Sequence, residues 1–379
     1  MTDLDKFLKN KPLFYKEIDY DRMPRIWSKI KDSFALPKII HIVGTNGKGS
    51  TGRFLAWHLY KGGYKVGHYS SPHLLKFNER IWIDGKDVDD ERLEIAHQYL
   101  QNILDRSDLN ALSYFEYTTL LAIYIFQESD FIVLEAGLGG EYDATAVFEN
   151  ILTLATTIGY DHESFLGDSI DKIARTKLNA IQKALILGFQ NYDSVKSVAK
   201  DICDKKGAKF LEYIEFDEAK EVVDRLHLPK VFEKNLSLAL TALKYLDIDI
   251  EFKYFDDIRL FGRAQKIAKN ITIDVGHNPL AAKALLEHFK GKKIYLVYNS
   301  YEDKDFKSVL EILKPIIKEV LIIDIDNKRA VDIAKLEDIL DKLDISHEPF
   351  REIDKKKEYL VFGSFSVVES FFKNSNYLP

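Results

Sequence analysis

The sequence of 379 residues predicts an α/β fold in two domains. Short β-branched runs alternate with amphipathic stretches of helical period, a pattern typical of parallel sheets covered by helices. An aspartate-rich, irregular stretch at 247–257 interrupts this alternation and is the expected linker. Because crossovers between parallel strands are right-handed, a doubly wound sheet is expected on both sides of the linker. We therefore predict an N-terminal domain at 1–252 and a smaller domain at 257–379.

The elements of both domains follow from apolar runs bounded by turn residues. Predicted strands of the first domain lie at 39–43, 65–69, 131–135, 151–158, 184–188 and 209–213. Its predicted helices lie at 51–61, 89–103, 114–126, 169–182, 192–204 and 233–245. In the second domain, strands are predicted at 271–275, 293–298, 320–325 and 359–362, and helices at 279–289, 306–313, 331–340 and after Gly363-Ser364.

Composition narrows the class of protein. A formal charge of -6 argues against a nucleic-acid coat or an anionic membrane surface as partner. No apolar run approaches the roughly 20 residues of a membrane-spanning helix. The amino terminus carries acids and lacks a continuous apolar core, so it does not resemble a signal peptide. The single cysteine, Cys203, offers neither an internal disulfide nor a metal cluster. A cytoplasmic protein is expected.

The glycine-rich segment Gly44-Thr45-Asn46-Gly47-Lys48-Gly49-Ser50 follows the first strand and precedes a helix that continues from Thr51. Glycines let backbone N–H groups approach phosphate oxygens, and a helix N-terminus favours anions. Lys48 would contact the β- and γ-phosphates, and Ser50 or Thr51 could bind Mg²⁺. The usual loop has four residues between its first glycine and the Gly-Lys pair, whereas here two intervene. A nucleoside triphosphate site is the better interpretation, and a plain βα turn is the alternative.

Polar side chains also follow neighbouring strands, where ligands collect in open α/β sheets. Glu135 ends the strand at 131–135, Asp161-His162 follows the next strand, and Ser71 follows the strand at 65–69. A carboxylate, a hydroxyl and an imidazole could together hold Mg²⁺. The alternatives are a salt-bridging acid for Glu135, a loop histidine for His162, and a surface lysine for Lys177 on the following helix.

The second domain carries a similar strand end. Asp274, His277 and Asn278 stand where the strand at 271–275 gives way to a helix, and Arg263 lies just upstream. The segment Asp303-Lys304-Asp305 follows the next strand. These side chains are expected to face the cleft between domains, and a simple helix entry at 277–279 is the alternative.

At these residues the chain resembles the folylpolyglutamate synthase/dihydrofolate synthase family, a branch of the Mur ligase superfamily. Six segments carry the resemblance in order: GTNGKGS at 44–50, YSSPHLLKFNERI at 69–81, LEAGLGGEYDAT at 134–145, IGYDH at 158–162, DVGHNP at 274–279 and DKD at 303–305. The resemblance implies a P-loop Mur-ligase-type ATPase domain followed by a Rossmann-like ligase domain. It also implies a monomer.

The resemblance further implies site residues. Residues expected to bind ATP are Gly44, Thr45, Asn46, Gly47, Lys48, Gly49, Ser50, Thr51, Asn235, Arg263, Asp274 and His277. Those expected to hold Mg²⁺ are Ser50, Ser71, Glu135 and His162, and Lys177 matches a lysine that is carbamylated in relatives. Lys48, Glu135, His162 and Lys177 are the expected catalytic set. Residues expected near the folate are Pro72, His73, Asn78, Arg80, Tyr114 and Asp143.

The implied activity is an ATP-dependent amide ligation through an acyl phosphate. L-Glutamate would be added to dihydropteroate, to reduced folates, or to both, and the bifunctional enzyme is the main expectation. A monofunctional folylpolyglutamate synthase, a small-molecule kinase and an ATP-binding switch without ligase activity are the alternatives.

Overall fold

A computed structural model describes residues 2–12, 19–161, 163–375 and 377 of the chain. The chain forms two compact α/β units, which confirms the predicted fold class. The first unit comprises Met1–Phe216 and Lys234–Ile258, and the second comprises Asp217–Glu233 and Arg259–Pro379. The expected domain limits, 1–252 and 257–379, stay predictions. In the part of the chain that the structure describes, no helix has the length and apolar character needed to cross a membrane.

The first unit is built on an eight-stranded sheet in the order β4-β3-β2-β5-β1-β6-β7-β8. All neighbours from β2 to β8 pair in parallel, whereas β3 is antiparallel to both β2 and β4. The strands are β1 Lys38–Val43, β2 Val66–Tyr69, β3 Ile81–Ile83, β4 Lys86–Asp87, β5 Phe131–Glu135, β6 Leu152–Ala155, β7 Ala184–Leu187 and β8 Lys209–Glu212.

Helices cover this sheet. Those of the first unit are α1 Asp3–Lys9, α2 Arg22–Ile30, α3 Lys48–Lys61, α4 Asp90–Ile103, α5 Arg106–Ala111, α6 Tyr114–Ile125, α7 Glu163–Leu166, α8 Ile170–Leu178 and α9 Asp193–Lys206. Helix α10 spans Asp217–Arg225, and α11 spans Val231–Tyr245. The central strands β1 and β5 are buried almost along their whole length, as expected for a sheet covered on both faces.

Two differences from the expected elements have local causes. Strand β6 ends at Ala155 rather than at residue 158, because the carbonyl of Thr157 turns to accept hydrogen bonds from the backbone N–H groups of Thr45 and Asn46. The hairpin β3–β4 was not predicted, since each strand is very short. Its two-residue turn, Asp84-Gly85, has positive φ at both positions and is a typical hairpin signal.

The aspartate-rich stretch at 247–257 is packed onto α3. Phe255 is fully buried and contacts Phe54 edge-on at 5.9 Å between ring centroids. The indole Nε1 of Trp57 donates to the carbonyl of Tyr254 at 2.7 Å, and the backbone N–H of Glu251 donates to Nε2 of His58 at 2.9 Å. These contacts tie the stretch to the helix that follows the glycine-rich loop.

The second unit has a six-stranded sheet in the order β13-β12-β11-β14-β10-β9, in which only β9 is antiparallel to its neighbour. Its strands are β9 Gln265–Ala268, β10 Ile271–Asp274, β11 Ile294–Tyr298, β12 Ile317–Ile322, β13 His347–Pro349 and β14 Tyr359–Phe362. Its remaining helices are α12 Pro279–His288, α13 Phe306–Leu313, α14 Ile333–Lys342 and α15 Phe365–Asn374. The two strands that were not predicted, β9 and β13, are the edge strands and carry partly polar sequences.

Candidate active site

The glycine-rich loop lies between β1 and α3 and is fixed by its neighbours. Gly44 and Gly47 have φ of 142° and 93°, values that residues other than glycine rarely adopt. A Cβ atom at Gly47 would lie 2.5 Å from Oδ1 of Asn235. Asn235, which the sequence places almost 200 residues away, is therefore brought against the loop, at the start of α11.

The start of α3 has the features of an anion site. The first N–H groups of a helix have no carbonyl partner within the helix, and they point out of its N-terminus. Ser50 and Thr51 in this first turn are buried. The hydroxyl of Thr51 has no hydrogen-bond partner among the residues that the structure describes. A phosphate chain with its metal ion fits this arrangement of donors and hydroxyls.

Two lysines converge on one carbonyl at the loop. The Nζ atoms of Lys48 and Lys177 lie 3.3 and 3.0 Å from the carbonyl oxygen of Gly44. Nζ of Lys48 is also 3.8 Å from Oε1 of Glu135, and both of these side chains are largely buried. The ammonium of Lys48 therefore lies beside the loop, where it favours an anionic ligand.

Lys177 lies inside the protein, so the alternative of a surface lysine is wrong. Burial and, to a smaller extent, the positive charge of Lys48 lower the pKa of Lys177 to about 7, while Asp161 and Asp143 oppose the shift. A large fraction of Lys177 is consequently a neutral amine near neutral pH. Lys177 lies on a helix, as the sequence indicates, but its burial results from the tertiary structure.

The expected magnesium ligands lie partly together. Glu135 is in register with Ile42 of β1, two residues before the loop, and the backbone N–H of Ser71 donates to its Oε2 at 3.4 Å. His162 lies outside the described residues. Over the described ranges, no group of three or more His, Cys, Asp or Glu side chains could hold a metal ion. Two hydroxyls and one carboxylate suit Mg²⁺, which usually completes its shell with phosphate oxygens and water.

Three residues expected near the folate form one cluster. Nε of Arg80 donates to Nδ1 of His73 at 2.8 Å, and the guanidinium lies 5.3 Å from the ring centroid of Tyr114. Burial, with the charge of Arg80, lowers the pKa of His73 to about 4, so this imidazole is neutral. The cluster combines a cation with an aromatic face, which suits an aromatic acid.

The other expected folate residues have different surroundings. Nδ2 of Asn78 donates to the carbonyl of Val88 and to Asp90, both at 2.8 Å, so its amide serves the local fold. Pro72 is exposed beside Ser71. Asp143 is buried, and its carboxylate accepts from the backbone N–H groups of Gly137, Leu138 and Thr145 and from the Thr145 hydroxyl. Asp143 thus organises the loop that follows Glu135.

The sequence analysis did not identify one polar residue of β1, His41. His41 lies within β1, fully buried, and its Nε2 is 2.7 Å from Oγ1 of Thr145. The available signal was a histidine within an otherwise aliphatic, β-branched strand. Such a residue in a buried strand requires a hydrogen-bonding partner.

In the second unit, Asp274 at the end of β10 accepts two backbone hydrogen bonds. Its Oδ2 accepts from the N–H of Ala264 at 2.8 Å, and its Oδ1 accepts from the N–H of Gly276 at 2.7 Å. Burial raises the pKa of Asp274, and Arg263 opposes that shift. The guanidinium of Arg263 lies 5.6 Å from the ring centroid of Phe365. Because Ala264, the residue after Arg263, donates to Asp274, Arg263 and Asp274 lie at the same strand end.

The neighbouring motif residues also have local partners. Asn278 caps α12 by accepting from the N–H of Ala281 at 3.0 Å, as the helix-entry alternative predicts. Nδ1 of His277 is 3.4 Å from the carbonyl of Val275. Asp303 forms a bidentate ion pair with Arg329, whose Nε and Nη2 atoms lie 2.8–3.0 Å from its carboxylate.

Comparisons with known proteins agree with this geometry. The family model described as Mur ligase, glutamate ligase domain, matches residues 262–361. The dihydrofolate synthase/folylpolyglutamate synthase of Haemophilus influenzae is 31% identical, and the match covers 94% of each chain. The crystal structure of Helicobacter pylori folylpolyglutamate synthetase is 40% identical, with a TM-score of 0.81 over 98% of this chain and 97% of that one. Escherichia coli FolC in complex with DHPP and ADP is 26% identical, with a TM-score of 0.81 over 97% and 95% of the two chains.

Proposed function

Because the chain belongs to the dihydrofolate synthase/folylpolyglutamate synthase family, we propose that it is an ATP-dependent ligase with two acceptors. It adds L-glutamate to dihydropteroate and to the glutamate chain of reduced folates. The observation that carries this proposal is the convergence of Lys48, Lys177 and Glu135 on the glycine-rich loop. The complex of the Escherichia coli relative with DHPP and ADP supports the same ligand classes.

The first step forms an acyl phosphate. The acceptor carboxylate attacks the γ-phosphorus of ATP, the bond to the bridging oxygen breaks, and ADP leaves. Negative charge spreads over the transferring phosphoryl group, and the ammonium of Lys48 and the N–H groups at the start of α3 neutralise it. Magnesium, when bound by Ser50, Ser71 and Glu135, would supply further charge neutralisation.

In the second step the amine of L-glutamate attacks the acyl carbon and inorganic phosphate leaves, so that an amide bond forms. Both steps depend on alignment and charge neutralisation rather than on an enzyme nucleophile. Arg80 and Tyr114 are proposed to contact the acceptor, since they combine a cation with an aromatic face.

Lys177 is proposed to act as the carbamylated lysine that the family resemblance implies. Its lowered pKa supports this role, because only the neutral amine adds CO₂. The product is an anionic carbamate beside Lys48. His162 remains a proposed ligand of the metal.

Asn235, Arg263, Asp274 and His277 are proposed to contact the nucleotide. For Asn235 the support is its contact with Gly47. For the three residues of the second unit the support is the order of their motif within the matched ligase domain. A monomeric, cytoplasmic enzyme stays a prediction from the sequence.

The test is ADP release with Mg²⁺, ATP and L-glutamate, with dihydropteroate or tetrahydrofolate supplied separately. Release with both acceptors, and products heavier by one glutamyl unit, is the expected result. Release with tetrahydrofolate alone would identify a monofunctional folylpolyglutamate synthase. A phosphorylated product that persists would indicate a kinase, and no release with either acceptor would overturn the proposal.

A further inference from the structure

His41 is a buried imidazole in the strand that leads into the glycine-rich loop. It is fully buried, and two residues separate it along the chain from Gly44. Its Nε2 lies 2.7 Å from Oγ1 of Thr145, whereas its Nδ1 has no hydrogen-bond partner over the described residues. Burial lowers the pKa of His41 to about 4, so the ring is neutral near pH 7.

The direction of the hydrogen bonds follows from the number of protons. Oγ1 of Thr145 lies 2.6 Å from Oδ1 of Asp143, whose carboxylate also accepts three backbone N–H groups. A carboxylate surrounded by donors accepts, so the single hydroxyl proton of Thr145 is directed to Asp143. The Thr145 oxygen then accepts from His41, and the proton of the imidazole lies on Nε2.

This chain of bonds joins two parts of the site. Asp143 closes the loop at 137–145 on itself, because it binds N–H groups at both ends of that loop. The loop begins two residues after Glu135, and α8 holds it from the other side, where the N–H of Glu141 donates to the carbonyl of Thr176. His41 adds the side-chain bond that ties the loop to β1, the strand of the glycine-rich loop.

An aliphatic side chain at position 41 would have a lower desolvation free energy than the imidazole. Burying an imidazole with one nitrogen unpartnered has a desolvation cost that valine, isoleucine or leucine would avoid. The other buried positions of β1 are indeed aliphatic. What His41 contributes and an aliphatic residue cannot is the hydrogen bond to Thr145.

We propose that His41 is a positioning residue for ligation, which holds Thr145 and Asp143, and with them the loop at 137–145, in register with the glycine-rich loop. The inference rests on the proposed function and on the expectation from the sequence that Asp143, in this loop, lies near the folate. His41 does not contact ATP or the acceptor. It acts through Thr145 on the placement of the acceptor relative to the γ-phosphate.

The test compares His41→Leu, which removes the donor, with His41→Gln, whose amide nitrogen reaches about the position of Nε2. We expect His41→Leu to lower kcat/KM for both folate acceptors by about 10–100-fold, because small misplacements of reacting groups have effects of that order. The KM for ATP should stay within about threefold. His41→Gln should restore most of the activity. Equal losses in the two variants, or wild-type acceptor kinetics in His41→Leu, would overturn the proposal.

Thermal unfolding separates positioning from general destabilisation. His41→Leu should unfold at the same temperature as the wild type or above it, since an unpartnered nitrogen is removed from the interior. The matched control is His68→Leu in β2, which β5 separates from β1 in the same sheet. His68 is also buried, but neither of its ring nitrogens has a partner among the described residues. This control should leave the acceptor kinetics unchanged.

A double-mutant cycle tests the path through Thr145. If His41 acts only through that hydroxyl, His41→Leu should cause no further loss in a Thr145→Val background. Additive losses would contradict the path.

Hydrogen–deuterium exchange of the ligand-free protein gives a readout that does not need the reaction. Exchange at Gly137, Leu138 and Thr145 should become at least about tenfold faster in His41→Leu and return toward the wild-type rate in His41→Gln. If the wild type releases no ADP with either folate, the proposed function fails, and exchange still decides whether His41 holds the loop. Unchanged exchange in His41→Leu would overturn the proposal.

Discussion

The strand ends of the two units use charge in different ways. In the first unit, Lys48 and Lys177 approach the same carbonyl oxygen, and Nζ of Lys48 lies 3.8 Å from Oε1 of Glu135. In the second unit, Asp274 is satisfied by two backbone N–H groups and Asp303 by both arms of Arg329. The first arrangement gains free energy when an anion arrives, whereas the second already has its partners.

This difference indicates where the chemistry is concentrated. Burial, and then the like charge of Lys48, lowers the pKa of Lys177, a perturbation typical of functional sites. The Asp274 carboxylate, bound by two backbone N–H groups, stabilises its turn whether or not a ligand is present. Substitutions at the first edge should therefore affect turnover, and those at the second should affect stability first.

The largest effect is expected for Lys48→Met. Removing the ammonium beside the loop should lower kcat by about 10²–10³-fold, a typical loss for one group that stabilises transition-state charge. Folding should be retained, because the side chain makes only a weak bond and a long ion pair in the free protein. Steady-state ADP release and thermal unfolding together check this. Near-wild-type turnover in Lys48→Met would contradict the view that the chemistry is concentrated at the strand ends of the first unit.

Gly47→Ala tests the loop backbone against a matched control. A Cβ atom at Gly47 would overlap Oδ1 of Asn235, whereas Gly63, with a similar φ of 89°, has open space around it. We expect Gly47→Ala to lower kcat/KM for ATP by about 10²-fold through displacement of the loop. Gly63→Ala should cost about 1 kcal/mol of stability from backbone strain alone and leave activity unchanged. Similar kinetics in the two variants would show that strain, not the contact with Asn235, matters.

Lys177→Met should lower turnover by about 10–100-fold, the range seen when a group that supports a metal site is lost. Its effect on stability depends on pH. Lys177 titrates at about 7 in the folded protein and at 10.5 in the unfolded chain. Between these values the unfolded chain binds a proton that the folded protein lacks, so this lysine makes stability rise with pH in that window.

The variant should therefore be more stable than the wild type at pH 7 and lose that advantage as the pH approaches 10.5. Urea unfolding at pH 7 and pH 9.5 in CO₂-depleted buffer measures the difference, since all other groups titrate in both proteins. A constant difference across this window would mean that Lys177 is not a neutral amine in the folded protein.

The smallest effect on turnover is expected for Asp303, in the second unit. Asp274→Asn places an amide NH₂ against one of two backbone donors and should cost about 1–3 kcal/mol of unfolding free energy. Asp303→Asn should cost less than about 1 kcal/mol, because the pair with Arg329 is partly exposed. Turnover of Asp303→Asn should stay within about threefold of the wild type, by the same reasoning. A large loss of turnover in Asp303→Asn, without loss of stability, would place chemistry at this edge as well.

Much of the fold was predictable because it is encoded locally. The alternation of β-branched runs with amphipathic stretches located every parallel strand of the two sheets except β13, and the break at Gly44–Ser50 located the loop. The hairpin β3–β4 and the edge strands β9 and β13 escaped, since short strands at an edge have neither a long apolar run nor a clear period. Ends of elements were displaced where a loop elsewhere in the chain took over a carbonyl, as at Thr157.

The candidate site divides in the same way. The sequence by itself determined which residue types stand at the loop and the strand ends, because motif order and spacing are properties of the chain. Only the tertiary structure decided that Lys177 is buried against Gly44, that Asn235 contacts Gly47, and that His41 binds Thr145. Burial and contact arise from segments up to about 200 residues apart that meet at one edge of a sheet, and no local pattern records those meetings.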